Sequence, residues 1–583
     1  MSAPNRVRVG LNLRVISRSP NPSIGASDAV ETKRGRHAFV RCRHRTEPQA
    51  ALNFRGEQCN GSSSDPVEFN TRPLATSLMR ATNSIAQVLV TSVISTAGKR
   101  HAGRHQDGPR PMNTREIITD IPARIDRLPW SRFHLLVVVA LGITWVLDGL
   151  EVTIVGSIGP ILKDRQTLGL SDQEIGSIAA CYVAGAVAGA LLFGWLTDRF
   201  GRRVIFNVTL GIYLAGVLLT AFSWSFWSFA IFRCLTGLGI GGEYAAINSA
   251  IDELIPARLR GRVDLIVNGS YWAGAALGAA GSLLLLSGRL VGIDLGWRLG
   301  FGIGAALGGF ILFLRRFVPE SPRWQVTHGR DEEAKRNTDE IERKVGHALP
   351  PPKGTLKVHP RKVFGFGIIF AAMLHENRAR SFLALTLMVA QAFLFNAVFF
   401  TYGLVLSTFY HVQDSRIGIY ILPLAAGNFL GPLLLGRLFD TVGRKRMIVG
   451  TYGMSGCMLI AVAVLFGNGA LGPWTQTFCW IAIFFIASAA ASSAYLTTSE
   501  IFPLETRAMA IAVFYALGTL LGGVTGPFLF GQLIGTGSEW AVAGGYIGAA
   551  ALMIGAAVSE AFLGIEAAGK SLEDVARPLS SGS

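Results

Sequence analysis

A charged, glycine-punctuated loop occurs twice in this chain, and the repetition constrains the fold more than any bulk property. Gly194-Trp-Leu-Thr-Asp198-Arg199-Phe-Gly201-Arg202-Arg203 returns as Gly436-Arg-Leu-Phe-Asp440-Thr-Val-Gly443-Arg444-Lys445-Arg446, each matched position 242 residues later. A second, unrelated pattern, Glu253-x-x-Pro256-x-x-x-Arg260, recurs as Glu500-x-x-Pro503-x-x-x-Arg507 at an offset of 247. Two motifs repeated at nearly one spacing require two homologous halves. Both loops lie between apolar runs, so the duplicated unit is a block of hydrophobic segments, an organisation expected of secondary transporters.

The 583 residues are only 16% charged, against about 25% in soluble domains, and that deficit places the chain in a membrane. Twelve apolar segments lie near 135–162, 173–196, 205–224, 227–252, 263–287, 295–316, 380–409, 416–438, 447–466, 474–499, 508–533 and 541–563. Each approaches the roughly 20 residues that cross a bilayer. The expected fold is an all-α membrane protein of twelve transmembrane helices in two six-helix bundles, 130–316 and 380–563. Between them runs a linker, 317–379, with a charged helical run from Arg330 to Lys344 and an interfacial stretch from Val363 to Leu374. Residues 564–583 read as a disordered tail. Basic residues fill the loops after the second, fourth and eighth segments and are missing after the third, ninth and eleventh, which puts both termini and the linker in the cytoplasm.

The net charge of +16 does not point to nucleic acid once it is located. Residues 1–111 hold 17 Lys+Arg against 7 Asp+Glu, leaving 37 against 31 for the rest. The basicity therefore sits on an appendage, and 1–115 reads as a disordered extension upstream of a working start at Met112. The six cysteines have neither metal nor redox spacing. No nucleophile–base constellation or nucleotide motif is present, which argues against an enzyme. The expected partners are a small-molecule substrate, protons and the lipid bilayer; the chain is expected to act as a monomer, without a cofactor, on the proton gradient of a plasma (bacterial inner) membrane.

A charge at mid-span costs about 2.5–3.5 kcal/mol on insertion scales, so the few that persist are informative. Asp148 and Glu151 lie three apart on one face of the first segment, and Arg233 and Glu243 lie in the fourth. These four are the candidate proton-coupling groups. If Glu151 meets Arg233 in one conformation and leaves it in another, its proton affinity follows the conformation. Three acids against one arginine leave little positive charge for an anionic solute unless it enters with protons. The second half offers neutral polar groups instead: Gln391, Asn396 and Tyr402 in the seventh segment, Asn428 in the eighth, Tyr495 in the tenth.

With these residues in view, the chain resembles the major facilitator superfamily over roughly 130–563. The two charged loops resemble that superfamily's gating loop, and Arg233-x-x-x-Gly237-x-Gly239-x-Gly241 its fourth-helix motif. Pro319-Glu320-Ser321-Pro322-Arg323-Trp324 is similar to the sugar-porter signature. The resemblance implies a cytoplasmic gate built from Gly194, Asp198, Gly201, Arg202, Arg203, Asp440 and Arg444, joined by Glu253, Arg260, Glu320, Arg323, Glu500 and Arg507. It implies pairing of Glu151 with Arg233. It also points to Gln391, Asn396, Tyr402, Asn268 and Tyr495 as substrate contacts. Departures fall at the solute positions: one Gln before Asn396 where sugar porters often have two, Tyr495 where a Trp is common, Asn268 where a Gln is usual. Asp148-Gly149-Leu150-Glu151 is closer to aromatic-acid/proton symporters, and Gly242-Glu243-Tyr244 to metabolite/proton symporters. The resulting reading is a proton symporter for a sugar, polyol or weak organic acid. A proton-driven efflux antiporter and a non-transporting nutrient sensor are the alternatives.

Overall fold

The computed structural model describes residues 116–286, 291–315, 318–346, 349–352, 354–360, 366–399 and 401–581. The expectations for 1–115 fall outside them. The first half comprises α2 (Arg132–Leu162), α3 (Asp172–Phe200), α4 (Arg202–Ala221), α5 (Phe226–Leu254), α6 (Arg260–Gly269), α7 (Tyr271–Leu285) and α8 (Ile293–Arg315), preceded by a short α1 (Ile121–Asp126). A linker follows with α9 (Pro322–Thr327), α10 (Asp331–Val345) and α11 (Phe366–Ala371). The second half comprises α12 (Arg378–Leu394), α13 (Tyr402–Tyr410), α14 (Asp414–Thr441), α15 (Arg444–Gly467), α16 (Pro473–Ile501), α17 (Arg507–Gly518), α18 (Thr525–Gly535) and α19 (Glu539–Leu563). A last short helix, α20 (Leu572–Val575), closes the chain.

Local sequence accounts for the boundaries. Ser171 and Glu174 form a reciprocal capping box that starts α3, and Ser225 caps α5. Gly201 (φ 102°) and Gly443 (φ 116°) turn the chain between α3 and α4 and between α14 and α15, in a region open essentially to glycine alone. Among the described residues, ten helical segments are long and apolar enough to cross a membrane. The fourth and fifth expected segments are not among them, for visible reasons. One, α5, contains Arg233, Glu243, Asp252 and Glu253; the other is interrupted at Ser270, between α6 and α7.

Helix α5 is buried on nearly every side, packed between α3 and α4. Its glycines permit this: a Cβ on Gly241 would lie 1.9 Å from the Ala186 carbonyl oxygen of α3. In the second half, α12 continues into a wide π turn at Phe395–Phe399, and α17 into another at Thr519–Val524. These two turns pack together. The halves meet through α14 against α6 and α7, and through α17 against α3 and α5.

One end of the bundle is covered by a cap. Strands β1 (Ile117–Thr119) and β2 (Leu356–Val358) pair antiparallel, Ile118 opposite Lys357. The expected charged run forms α10, burying Ala334, Thr338, Ile341 and Val345 along one stripe, with acids in its first turn and bases in its last. Of the expected interfacial stretch, residues 366–374 are helical. The disordered tail is a correction: α20 is capped by Ser571, and Ser580 donates its N–H to Glu505 at 3.0 Å and accepts from the His359 N–H at 2.6 Å. Its physical reason is the duplication. Ser571 repeats the role of Ser321, which caps α9, so the tail is the second half's version of the start of the linker.

Candidate functional site

At the capped end the two halves are clasped by mutual helix capping. The Asp198 carboxylate, at the end of α3, accepts from the N–H groups of Ala508 (3.3 Å) and Met509 (2.9 Å) at the start of α17. Asp440, at the end of α14, does the same for Gly261 (3.1 Å) and Arg262 (2.8 Å) at the start of α6. Each carboxylate thus supplies acceptors to orphan helix donors of the opposite half, where the helix dipole also favours negative charge. Gly194 belongs to this contact: a Cβ there would lie 2.5 Å from the Ala512 Cβ.

Beneath the caps lies a ring of buried ion pairs with the same twofold character. Arg202 binds Glu253 at 2.8 Å and Asp198 at 3.1 Å; Arg444 binds Glu500 at 3.1 Å and Asp440 at 2.8 Å. The halves are cross-linked by Arg507 to Glu253 and Arg260 to Glu500, both at 3.5 Å. Glu320 accepts from the Arg202 and Arg203 N–H groups (2.9 and 3.2 Å) and caps α4. Burial pushes its carboxyl up, against the hydrogen bonds that hold it down. The Arg203 side chain itself is exposed. Arg323 joins the ring through Asp126, which it binds at 2.9 Å and which also lies 3.6 Å from Arg260, and it binds Glu573 of the tail.

At mid-depth of the first half, Glu151 and Arg233 form an ion pair, both almost wholly buried, with the guanidinium 4.4 Å from the Tyr182 ring. Asp148, one turn earlier on α2, accepts from the hydroxyls of Tyr182 (3.3 Å) and Tyr244. Aromatic rings enclose it. Trp145 stacks on Tyr244 with centroids 4.6 Å apart and meets Tyr495 edge-on, and Tyr515 meets Tyr244 edge-on at 4.8 Å. Tyr495 and Tyr515 come from the second half, so this enclosure spans both.

Glu243 does not join that group. It binds Arg315 of α8 (3.2 and 3.4 Å), which also donates to Thr144 and to the Phe206 carbonyl, 2.6 Å each. The expectation of three acids against one arginine is thereby corrected to two pairs plus Asp148. At the end of its segment, Arg315 reads in sequence as a loop base; only the fold turns it inward.

The five substrate candidates do not gather into one place. Tyr495 lies in the aromatic enclosure. Tyr402 bonds to Thr477 at 2.7 Å near the start of α16, about 27 Å along that helix from Tyr495 at 1.5 Å per residue. Gln391 and Asn396 are half-buried where α12 enters its π turn, Asn396 donating to the Ala392 carbonyl. Asn268 is buried against Asn248 and Asp264. Sequence reasoning also missed Glu566, whose carboxylate accepts from the Arg444 N–H at 2.8 Å as Glu320 does from Arg202. The signal was available: 566 is 246 residues after 320, inside the offset range of the other repeats.

Residues 139–579 match the family model described as sugar (and other) transporter. The chain is 28% identical to the niacin transporter NiaP of Acinetobacter baylyi over 418 residues, covering 70% of this chain and 89% of that one. It is 25% identical to the 4-hydroxybenzoate transporter PcaK of the same organism over 439 residues, covering 72% and 90%. Its backbone superposes on the proton:xylose symporter XylE bound to 6-bromo-6-deoxy-D-glucose with a TM-score of 0.61 and 19% identity, covering 76% of this chain and 98% of that one. These relatives are membrane transporters, not enzymes. With a family match over most of its length, the chain belongs to the sugar (and other) transporter family, and its fold is that of the major facilitator transporter XylE.

Proposed function

We propose that this protein is a proton symporter that imports a small aromatic or heteroaromatic weak acid across a plasma membrane, by alternating access of two six-helix halves. In this reading twelve segments cross the bilayer, and the capped end, with both termini, faces the cytoplasm. The observation that carries the proposal is the arrangement around Asp148: a buried acid inside rings from both halves, one turn from the Glu151–Arg233 pair. Ring faces and edges suit a planar solute, since aromatic pairs favour stacked or edge-on contact and contribute about 0.5–1.5 kcal/mol beyond area burial. NiaP and PcaK, which by name carry niacin and 4-hydroxybenzoate, are consistent with such a solute.

The coupling follows from charge. A buried carboxylate separated from its guanidinium takes up a proton, and one that regains it gives the proton up. Breaking a buried pair without protonation costs about 3–5 kcal/mol, so opening the Glu151–Arg233 pair favours protonation of the acid. A weak-acid anion entering with one proton is an electroneutral pair, so the pH gradient drives it: one unit supplies about 1.4 kcal/mol, roughly tenfold accumulation. The test is uptake of labelled nicotinate and 4-hydroxybenzoate into proteoliposomes, with xylose as comparison and protein-free liposomes as baseline. Uptake of an aromatic acid with proton influx is expected; uptake of xylose alone contradicts the solute class.

A further inference from the structure

Between the aromatic enclosure and the gate ring lies a group of buried polar side chains not yet given a role. On α5, Tyr244, Asn248 and Asp252 follow at four-residue intervals, a stripe along one face of about 12 Å. Asn248 donates to the Tyr244 carbonyl at 2.8 Å. From α6, Asn268 donates to the Asn248 amide oxygen at 3.0 Å and to the Asp264 carboxylate at 3.1 Å. Asp252 accepts from the Ser499 hydroxyl of α16. The stripe therefore leads from the Asp148 partner Tyr244 to the edge of the ring.

Three observations bear on what Asp252 and Asp264 do. Both are wholly buried. Asp252 Oδ1, Asp264 Oδ1 and Asn268 Oδ1 find no hydrogen-bond donor among the described residues, and beside them Arg260 Nη2 finds no hydrogen-bond acceptor. The nearby cations are already matched: Arg202, Arg260, Arg444 and Arg507 are paired with Asp198, Glu253, Asp440 and Glu500. The charges acting on Asp264 are Asp252, Glu500 and Arg444; those acting on Asp252 are Arg260, Glu500 and Arg507, with Arg260 also donating Nε–H to the Asp252 carbonyl. Two further negative charges there have no counter-ion of their own, and buried like charges do not both stay ionised.

The duplication argues that gating alone does not need these acids. At the offset of 247, Asp252 corresponds to Ser499 and Asp264 to Ile511. The second half builds its share of the clasp without either carboxylate, so the pair is an addition peculiar to the first half.

We propose that Asp252 and Asp264 together hold one proton, on one or the other carboxyl, forming a second protonation site on the cytoplasmic side of Asp148. Its place on the proton's route rests on the symport reading above; the occupancy of the site does not. The test is infrared difference spectroscopy on the full-length protein reconstituted in lipid at neutral pH, reading the carbonyl stretch of a protonated carboxyl group. The variants are Asp264→Asn, Asp252→Ser (the residue the other half carries), and Glu151→Gln as reference, each checked for folding by thermal unfolding. The shared proton predicts that the same carbonyl band is lost or shifted in both Asp264→Asn and Asp252→Ser and kept in Glu151→Gln. Persistence of that band, unshifted, in either Asp variant overturns the proposal. Failure of proton-driven uptake with the band present would instead sink the symport reading and leave the site standing.

Discussion

Gly201 and Gly443 each combine a backbone conformation closed to other residues with a carboxylate where a side chain would go. A Cβ on Gly443 would lie 2.5 Å from a Glu566 oxygen, and one on Gly201 2.3 Å from a Glu320 oxygen. Gly443→Ala is therefore expected to destabilise by about 1–3 kcal/mol through strain. Glu566→Ala removes only a cap and should cost about 0.5–2 kcal/mol. Thermal unfolding in detergent orders the two variants, and equal stability of Gly443→Ala and wild type contradicts the strain argument. At this scale sequence was legible where a charge stood out against lipid, as at Glu151 and Arg233. It was opaque where the partner came from a segment end, as at Arg315, or where the role lay in surroundings rather than type, as for Trp145 and Tyr244 around Asp148.

The clasp is a property of helix ends. Asp198 and Asp440 each cap a helix of the other half, so Asp198→Asn or Asp440→Asn weakens closure without removing a core side chain. A cap of this kind is worth roughly 1 kcal/mol, about a fivefold shift between closed and open forms. The measurement is labelling by a membrane-impermeant thiol reagent at a cysteine placed at Ser499, buried under the clasp; faster labelling in both variants is expected, and an unchanged rate contradicts the role.

Helix α9 is expected to respond to pH. His328 stacks on Trp324 with centroids 4.3 Å apart, Trp324 donates to the Asp198 carbonyl at 2.9 Å, and burial pushes the imidazole down to about 4. A His held below its free value of about 6.5 adds stability above that value and loses it as pH falls toward 4. Hydrogen exchange over 321–328 should accelerate across this window in wild type and much less in His328→Gln; identical profiles would remove His328 as the cause. The repeated loops made most elements legible, including α10 from its charged run. The tail was not, because its sequence is polar and short; it is ordered by Glu505, Arg323 and the His359 backbone, all distant in sequence.

For the whole molecule, duplication explains the clasp, and the proposed symport assigns the coupling to the groups that break it. Caps, ion-pair ring and Glu320/Glu566 repeat in both halves, whereas Asp148, Glu151, Arg233, Asp252 and Asp264 belong to the first half only. In the proposed mechanism the symmetric parts serve the rocking of the halves and the asymmetric ones the coupling. Removal of residues 1–111, which carry 17 of the 54 basic residues, is expected to leave uptake per folded molecule unchanged, and its loss would give that segment a part in transport. The most direct measurement is nicotinate and 4-hydroxybenzoate uptake into proteoliposomes with an alkaline interior, comparing wild type with Glu151→Gln against protein-free liposomes. Wild type should accumulate solute above the protein-free level while Glu151→Gln only exchanges internal for external solute; accumulation by Glu151→Gln equal to wild type contradicts the account.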